Sequence, residues 1–199
     1  MQEITIADPL GQALAKYSTG LEFGVEIGGG TGDGSTQCIK TKELFSFEIH
    51  PDRIGRHGMN LSMRQGGTAL HHLSSNPARW MSETQIKEFC QATKTNLNAY
   101  PIEQILGWLK DDLANASKYK WGKPYLAYKP DFILLDGGAF SGEADMAEWF
   151  PRLKDGGIIA LDDVNDIKNH ANYSWLKDNG HALLWQELSW RNGSAIFRK

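Results

Sequence analysis

Apolar residues fall in short blocks separated by turn formers, and the blocks alternate between strand-like and helix-like spacing. Residues 21–27 read as a buried strand through Leu21, Phe23, Val25 and Ile27. A helix over 8–17 precedes it, with Asp8 as N-cap and Pro9 in its first turn. A helix follows over 34–40, and 44–49 is the second strand. Residues 59–64 read as a third, weaker strand ended by Gly66-Gly67, with a short helical segment at 68–73. Residues 131–136 form a buried strand ending in an acid, and 143–153 a helix stopped by Asp155-Gly156-Gly157. The next strand, 158–161, ends at Asp162-Asp163, and a helix follows over 167–177. Residues 182–188 and 194–198 pair as a hairpin around Asn192-Gly193.

The stretch 74–128 breaks this alternation. Ser82-x-x-Gln85 is a capping box that starts one helix. Pro101 starts another, with Ile102, Ile105, Leu106, Leu109 and Leu113 on one face. Tyr119, Trp121, Tyr125 and Tyr128 then lie among lysines. The stretch is read as a helical insertion in a crossover, placed to act as a lid. The whole chain, 1–199, is expected to be one α/β domain. Its fold is a doubly wound, mostly parallel seven-stranded sheet with helices on both faces and an antiparallel terminal hairpin.

The chemistry concentrates at Glu26-Ile27-Gly28-Gly29-Gly30-Thr31-Gly32-Asp33-Gly34-Ser35-Thr36, a glycine-rich turn between strand and helix. Such a turn lets a ligand lie against the backbone. Glu48 ends the next strand, where a carboxylate can grip a ribose diol. A nucleoside-bearing cofactor is the expectation. A dinucleotide turn requires G-x-G-x-x-G, but the sixth position is Asp33 counting from Gly28 and Ser35 counting from Gly30. No P-loop pattern is present. The spacing that fits is acid-x-G-x-G-x-G.

Net charge is -3 and the isoelectric point about 6.1, against a main role in binding a phosphate backbone. The two cysteines, Cys38 and Cys90, form no metal or redox spacing. There is no signal pattern and no apolar run of membrane-span length, so a soluble cytoplasmic protein is expected, with no nucleic-acid or membrane partner.

Asp136, Asp162 and Asp163 end consecutive strands. If those strands are neighbours, carboxylates at about 4 Å repel by roughly 4 kcal/mol per pair at an effective dielectric near 20. A bound Mg²⁺ is the simplest offset. Other compensations remain open: Asp163 as an N-cap, Asp162 as a solvated loop acid, a protonated aspartate, or a lysine from the insertion.

With these residues in view, the chain resembles the class I S-adenosylmethionine-dependent methyltransferases, and among them the metal-dependent O-methyltransferases of catechol type and macrocin type. The resemblance covers roughly 20–72 and 130–165. It implies methyl transfer from S-adenosylmethionine to a hydroxyl oxygen of a sugar, diol or phenol. The cofactor residues it implies are Glu26, Gly28, Gly29, Gly30, Thr31, Gly32, Ser35, Thr36, Glu48, Ile49, Thr68 and Asp136, with Thr68 or Gly67 approaching adenine. Mg²⁺ would be held by Asp136, Asp162 and Asp163, Asp136 being catalytic through the metal. Two departures stand out. Asp136-Gly137-Gly138-Ala139-Phe140 lacks the macrocin-type base, and no catechol-type lysine follows Asp136. His50, His71, His72, His170 and Lys123 are weak substitutes. A missing base favours a vicinal diol or catechol, whose two oxygens on the metal would acidify one of them. The competing classes are a metal-independent N- or carboxyl-methyltransferase and a non-catalytic S-adenosylmethionine-binding protein. Fold-level analogy alone admits a homodimer through the insertion helices.

Overall fold

In the computed structural model, which describes residues 4–122 and 129–199, β1 (Phe23–Ile27) is buried at every position. Only a central strand with covered faces accounts for that. Its neighbours are β2 (Glu43–Phe47) and β4 (Phe132–Leu135), both parallel to it. β3 (Gly67–Leu70) and β5 (Ile158–Asp162) extend the parallel sheet, and the hairpin β6 (Ala182–Glu187) and β7 (Ser194–Arg198) adds antiparallel strands beyond β5. The order is β3-β2-β1-β4-β5-β7-β6, the expected doubly wound sheet with seven strands.

Alternating side chains build a core on each face. Val25, Ile27, Ile133, Leu135, Ile159 and Leu161 point to one side. There they meet Met146 and Trp149 of α6 (Gly142–Trp149) and Leu176 of α7 (His170–Asp178). Leu44, Phe132, Leu134, Ala160 and Ile196 point to the other. Leu10 and Leu14 of α1 (Pro9–Ser18) and Cys38 of α2 (Ser35–Cys38) cover them. No helix among the described residues is long and apolar enough to cross a membrane.

One region corrects the sequence reading. Residues 59–63 belong to a helix, α3 (Ile54–Met63), which Arg64 caps, and the third strand is Gly67–Leu70, overlapping the start of the segment 68–73 expected to be helical. Met59 and Met63 are exposed, whereas His57 and Leu61, one turn apart, face the sheet. The buried pair follows the helical period and includes a histidine, which a purely apolar pattern discounts.

The crossover from β3 to β4 carries α4 (Glu83–Ala92) and α5 (Ile102–Ala116). Ser82 and Gln85 form the expected capping box. Ile105, Leu106 and Leu109 are buried, but Leu113 is exposed. The two helices share a separate small core with Phe140, after β4, and Ile167, after β5. The crossover thereby leans over the carboxyl ends of those strands. Tyr125, Tyr128 and Lys123 lie outside the described residues.

Candidate active site

Strand register brings the site together. Ile27 of β1 pairs with Phe47 of β2 and Leu135 of β4, and Leu135 pairs with Leu161 of β5. The residues one step further along these four strands are Gly28, Glu48, Asp136 and Asp162. They form one row at the carboxyl edge, where sheets of this kind place ligands.

The glycine turn rises from this row. Gly28 has φ 86°, and a Cβ there would lie 2.1 Å from the Asp136 carbonyl oxygen, so only glycine lets the turn cross so close to β4. At Gly30, φ 58°, a Cβ would meet nothing within 4 Å, so the backbone is open to a ligand there. Beneath the turn, Glu26 is fully buried and accepts hydrogen bonds from Ser35 (2.6 Å), Thr36 (2.7 Å) and Ser46 (2.6 Å). Burial raises its pKa. Its contacts with these three hydroxyls tie the turn to α2 and β2, so Glu26 and Thr36 sit under the turn as its supports. Gly28, Gly29, Gly30, Thr31 and Ser35 line the cleft above, and Gly32 packs against Asn60 and Leu61 of α3.

Glu48 commits one oxygen to the backbone N–H groups of Ile49 (2.8 Å) and His50 (2.7 Å). The other has Arg53 at 3.8 Å, close enough for electrostatics and too far for a hydrogen bond. Glu48 and Ile49 border a cavity of ≈ 140 Å³ shared with His72, Leu73, Ser74, Trp80 and Gly137. Thr68 does not reach it. Thr68 pairs with Phe45 two residues before the end of β3 and is exposed. At about 3.3 Å per residue it lies roughly 10 Å below the edge row. The misplaced third strand put it too far along the chain, and His72 to Ser74 occupy the position it was expected to fill.

A larger cleft of ≈ 910 Å³ runs from the glycine turn past Asp136 to Asp163, Lys168 and Arg191. Trp108, Asp111 and Asp112 of α5 overhang it. Burial, with Asp111 adding repulsion, pushes the Asp112 carboxyl up to about 6. Among the histidine candidates, His50 lines the cleft and His72 the smaller cavity. His71 lies beside His57, and His170 packs edge-on against Phe89.

The three aspartates converge as expected, each offering an oxygen within 4.8 Å of the others. Their compensation was not foreseen. Lys168 Nζ lies 2.7 Å from Asp136 Oδ1 and 2.5 Å from Asp163 Oδ2, and its side chain is only 10% exposed. Ser194 donates to Asp162 Oδ1 at 2.8 Å, and Arg191 stands 3.6 Å from Asp162 Oδ2. Burial pushes Asp136 up to about 7, with Asp162 adding to the rise and Lys168 opposing it. Burial also raises Asp162, whereas in Asp163 burial, the largest single effect, is outweighed by the Lys168 charge and hydrogen bond, Arg191 and Asn192 acting together, and the pKa falls. Burial disfavours the Lys168 charge, yet the three carboxylates hold its pKa above the ordinary lysine value. At about 2.6 Å each Lys168 contact attracts by roughly 6 kcal/mol at an effective dielectric near 20, exceeding the repulsion between two carboxylates.

A divalent ion held by these three carboxylates would have to compete with the Lys168 ammonium for Asp136 Oδ1 and Asp163 Oδ2 and would meet its like charge. As arranged, with Lys168 on two of the three carboxylates, the residues do not fit a divalent ion. The compensating lysine comes from the loop after β5 and not from the insertion. The signal was a lysine five residues beyond Asp163, with Asn169 after it. The Asn169 amide donates to the carbonyls of Leu135 (3.0 Å) and Asp162 (2.7 Å), tying that loop to both strand ends.

No family profile and no curated protein matches the chain. Solved structures do. An rRNA methylase from Streptococcus thermophilus superposes with a TM-score of 0.54 at 11% identity, over 100% of this chain and 99% of its own. A Staphylococcus aureus protein assigned as a caffeoyl-CoA O-methyltransferase gives 0.56 at 13% identity, over 100% of this chain and 85% of its own. A Streptococcus mutans protein assigned as a methyltransferase, solved in complex with S-adenosylhomocysteine, gives 0.54 at 9% identity, over 100% and 99%. At such identities the likeness establishes the fold, a Rossmann-like sheet shared with methyltransferases.

Proposed function

We propose that the chain binds S-adenosylmethionine across the carboxyl edge of its sheet and transfers the methyl group to a hydroxyl oxygen of a small molecule. The observation that carries this reading is the row Gly28, Glu48 and Asp136. An open glycine turn and a carboxylate with one uncommitted oxygen stand on adjacent strands, joined to a cleft large enough for an acceptor. Glu48 would take the ribose hydroxyls, and the cavity beside His72 and Trp80 would take the base. When bound, the cofactor supplies an electrophilic methyl group. The chain's own work is to hold the acceptor in line and receive its proton. Two carboxyls in the cleft have pKa values lifted toward neutrality, Asp136 to about 7 and Asp112 to about 6, in the range a general base requires. The modest negative charge favours a small acceptor over nucleic acid.

The Lys168 ion pairs favour metal-independent chemistry, and a nitrogen or carboxyl acceptor is the competing reading. Calorimetric titration with S-adenosylhomocysteine tests the cofactor. Saturable binding is expected, and a folded protein that gives none ends the proposal. A panel of diols, sugars, phenols, amines and carboxylates then separates the acceptor classes.

A further inference from the structure

We infer that the Lys168 ammonium takes the place of a divalent cation at the ends of β4 and β5, and that it is the group that binds the acceptor oxygen. The first half stands on geometry alone. Lys168 bridges Asp136 and Asp163 at 2.7 and 2.5 Å from a nearly buried position. Its backbone is fixed as well as its head group. A Cβ at Gly142 would lie 1.7 Å from the Lys168 carbonyl oxygen, so α6 begins hard against this residue. Asn169 anchors the next position to both strands. The loop therefore delivers the ammonium to one place, as a protein would deliver a metal ligand.

The second half rests on the methyltransferase reading of the cleft. An ammonium has three N–H donors, and the two carboxylates take two of them. Among the described residues the third is left for a ligand in the cleft that Lys168 lines together with Asp136 and Asp163. Asp136 and Asp162 both have raised pKa values, so near neutral pH the three carboxyls and the cations Lys168 and Arg191 come close to balance. An uncharged hydroxyl leaves that balance undisturbed, whereas an anionic acceptor would bring a further charge into a buried site.

The test titrates Mn²⁺, a hard-ligand surrogate for Mg²⁺, into the full chain and into Lys168→Met and Lys168→Arg, by calorimetry and by thermal melting. Wild type and Lys168→Arg are expected to give no saturable heat and no shift in melting temperature. Lys168→Met, with its carboxylates uncompensated, is expected to bind Mn²⁺ at least about tenfold more tightly than wild type and to be stabilised by it. Saturable Mn²⁺ binding by wild type that disappears in Asp163→Asn overturns the assignment. So does a folded Lys168→Met that ignores Mn²⁺. Should Lys168→Met not fold, the wild-type and Lys168→Arg titrations decide. For the second half, Lys168→Arg should raise the KM for the hydroxyl acceptor without changing S-adenosylhomocysteine affinity, and an unchanged KM refutes it. A wild type that excludes Mn²⁺ and fails to bind S-adenosylhomocysteine sinks the proposed function while leaving the ion-pair assignment intact.

Discussion

His57 should make this protein lose stability in mild acid, by an amount the structure sets. The ring is fully buried on α3 beneath the glycine turn. Ser46 Oγ donates its one proton to Glu26 Oε2 at 2.6 Å, so the 2.8 Å contact with His57 Nε2 is donated by the ring. That leaves Nδ1 bare, and Nδ1 is buried with no hydrogen-bond partner among the described residues. A second proton would arrive where nothing accepts it. Burial, with His71 adding to the effect, holds the pKa down from 6.5 to about 4. Between those values the unfolded chain binds a proton that the native protein does not, so stability rises with pH. From pH 7 to pH 5 this one group should remove about 2 kcal/mol, approaching about 3 kcal/mol below pH 4. The perturbation is His57→Gln, whose amide can still donate to Ser46 and cannot titrate. Urea denaturation of both proteins across pH 5 to 7 provides the measurement. Glu26, whose raised pKa works in the opposite direction, is common to both proteins and largely cancels in the difference. The wild-type curve should fall relative to the variant by about 2 kcal/mol over that range. Parallel curves would refute the assigned tautomer and the buried neutral ring.

Two further substitutions probe the cofactor surface. Glu48→Gln preserves an acceptor for the Ile49 and His50 N–H groups but replaces the free oxygen with a donor. S-adenosylhomocysteine affinity should fall about tenfold or more in calorimetry with the melting temperature little changed, and equal affinity would remove Glu48 from the ribose site. In Gly29→Ala the new Cβ would lie 2.1 Å from Ser46 Oγ and 2.5 Å from His57 Nε2. Urea denaturation should show a loss of about 1–3 kcal/mol, whereas wild-type stability would mean the turn does not rest on that pair.

How far the sequence was readable follows from the range of the interactions involved. β1, β4, β5 and β7 were legible because their burial runs continuously over four or five residues, and β2 because most of its positions are buried, whereas β6, largely unburied, was legible from the Asn192-Gly193 turn that pairs it with β7. Strand register then made Gly28, Glu48, Asp136 and Asp162 neighbours without any further signal. The 54–70 region was not legible. Its helix presents His57 and Leu61 to the sheet and exposes two methionines, so residue type and burial disagree there. Its strand begins at a glycine and spans four residues, too short to show a period. The role of Glu26 was hidden for another reason. Its partners Ser35, Thr36 and Ser46 are nine to twenty residues away and meet it only when the turn closes.

The aspartate cluster shows where a chemical argument from sequence runs out. Three converging carboxylates require a positive charge, and that requirement held. Electrostatics fixes the sign and rough size of the compensation without saying whether a bound ion or a side chain supplies it. The decision lies in the loop after β5, where Asp163 takes φ 57° and the chain turns back so that Lys168 enters between Asp136 and Asp163. An aspartate tolerates that left-handed conformation better than most residues, because its short side chain bonds locally. The second acid of the Asp162-Asp163 pair thus serves two ends. It is one of the charges that need compensating, and it sits at the turn that brings the compensating lysine home.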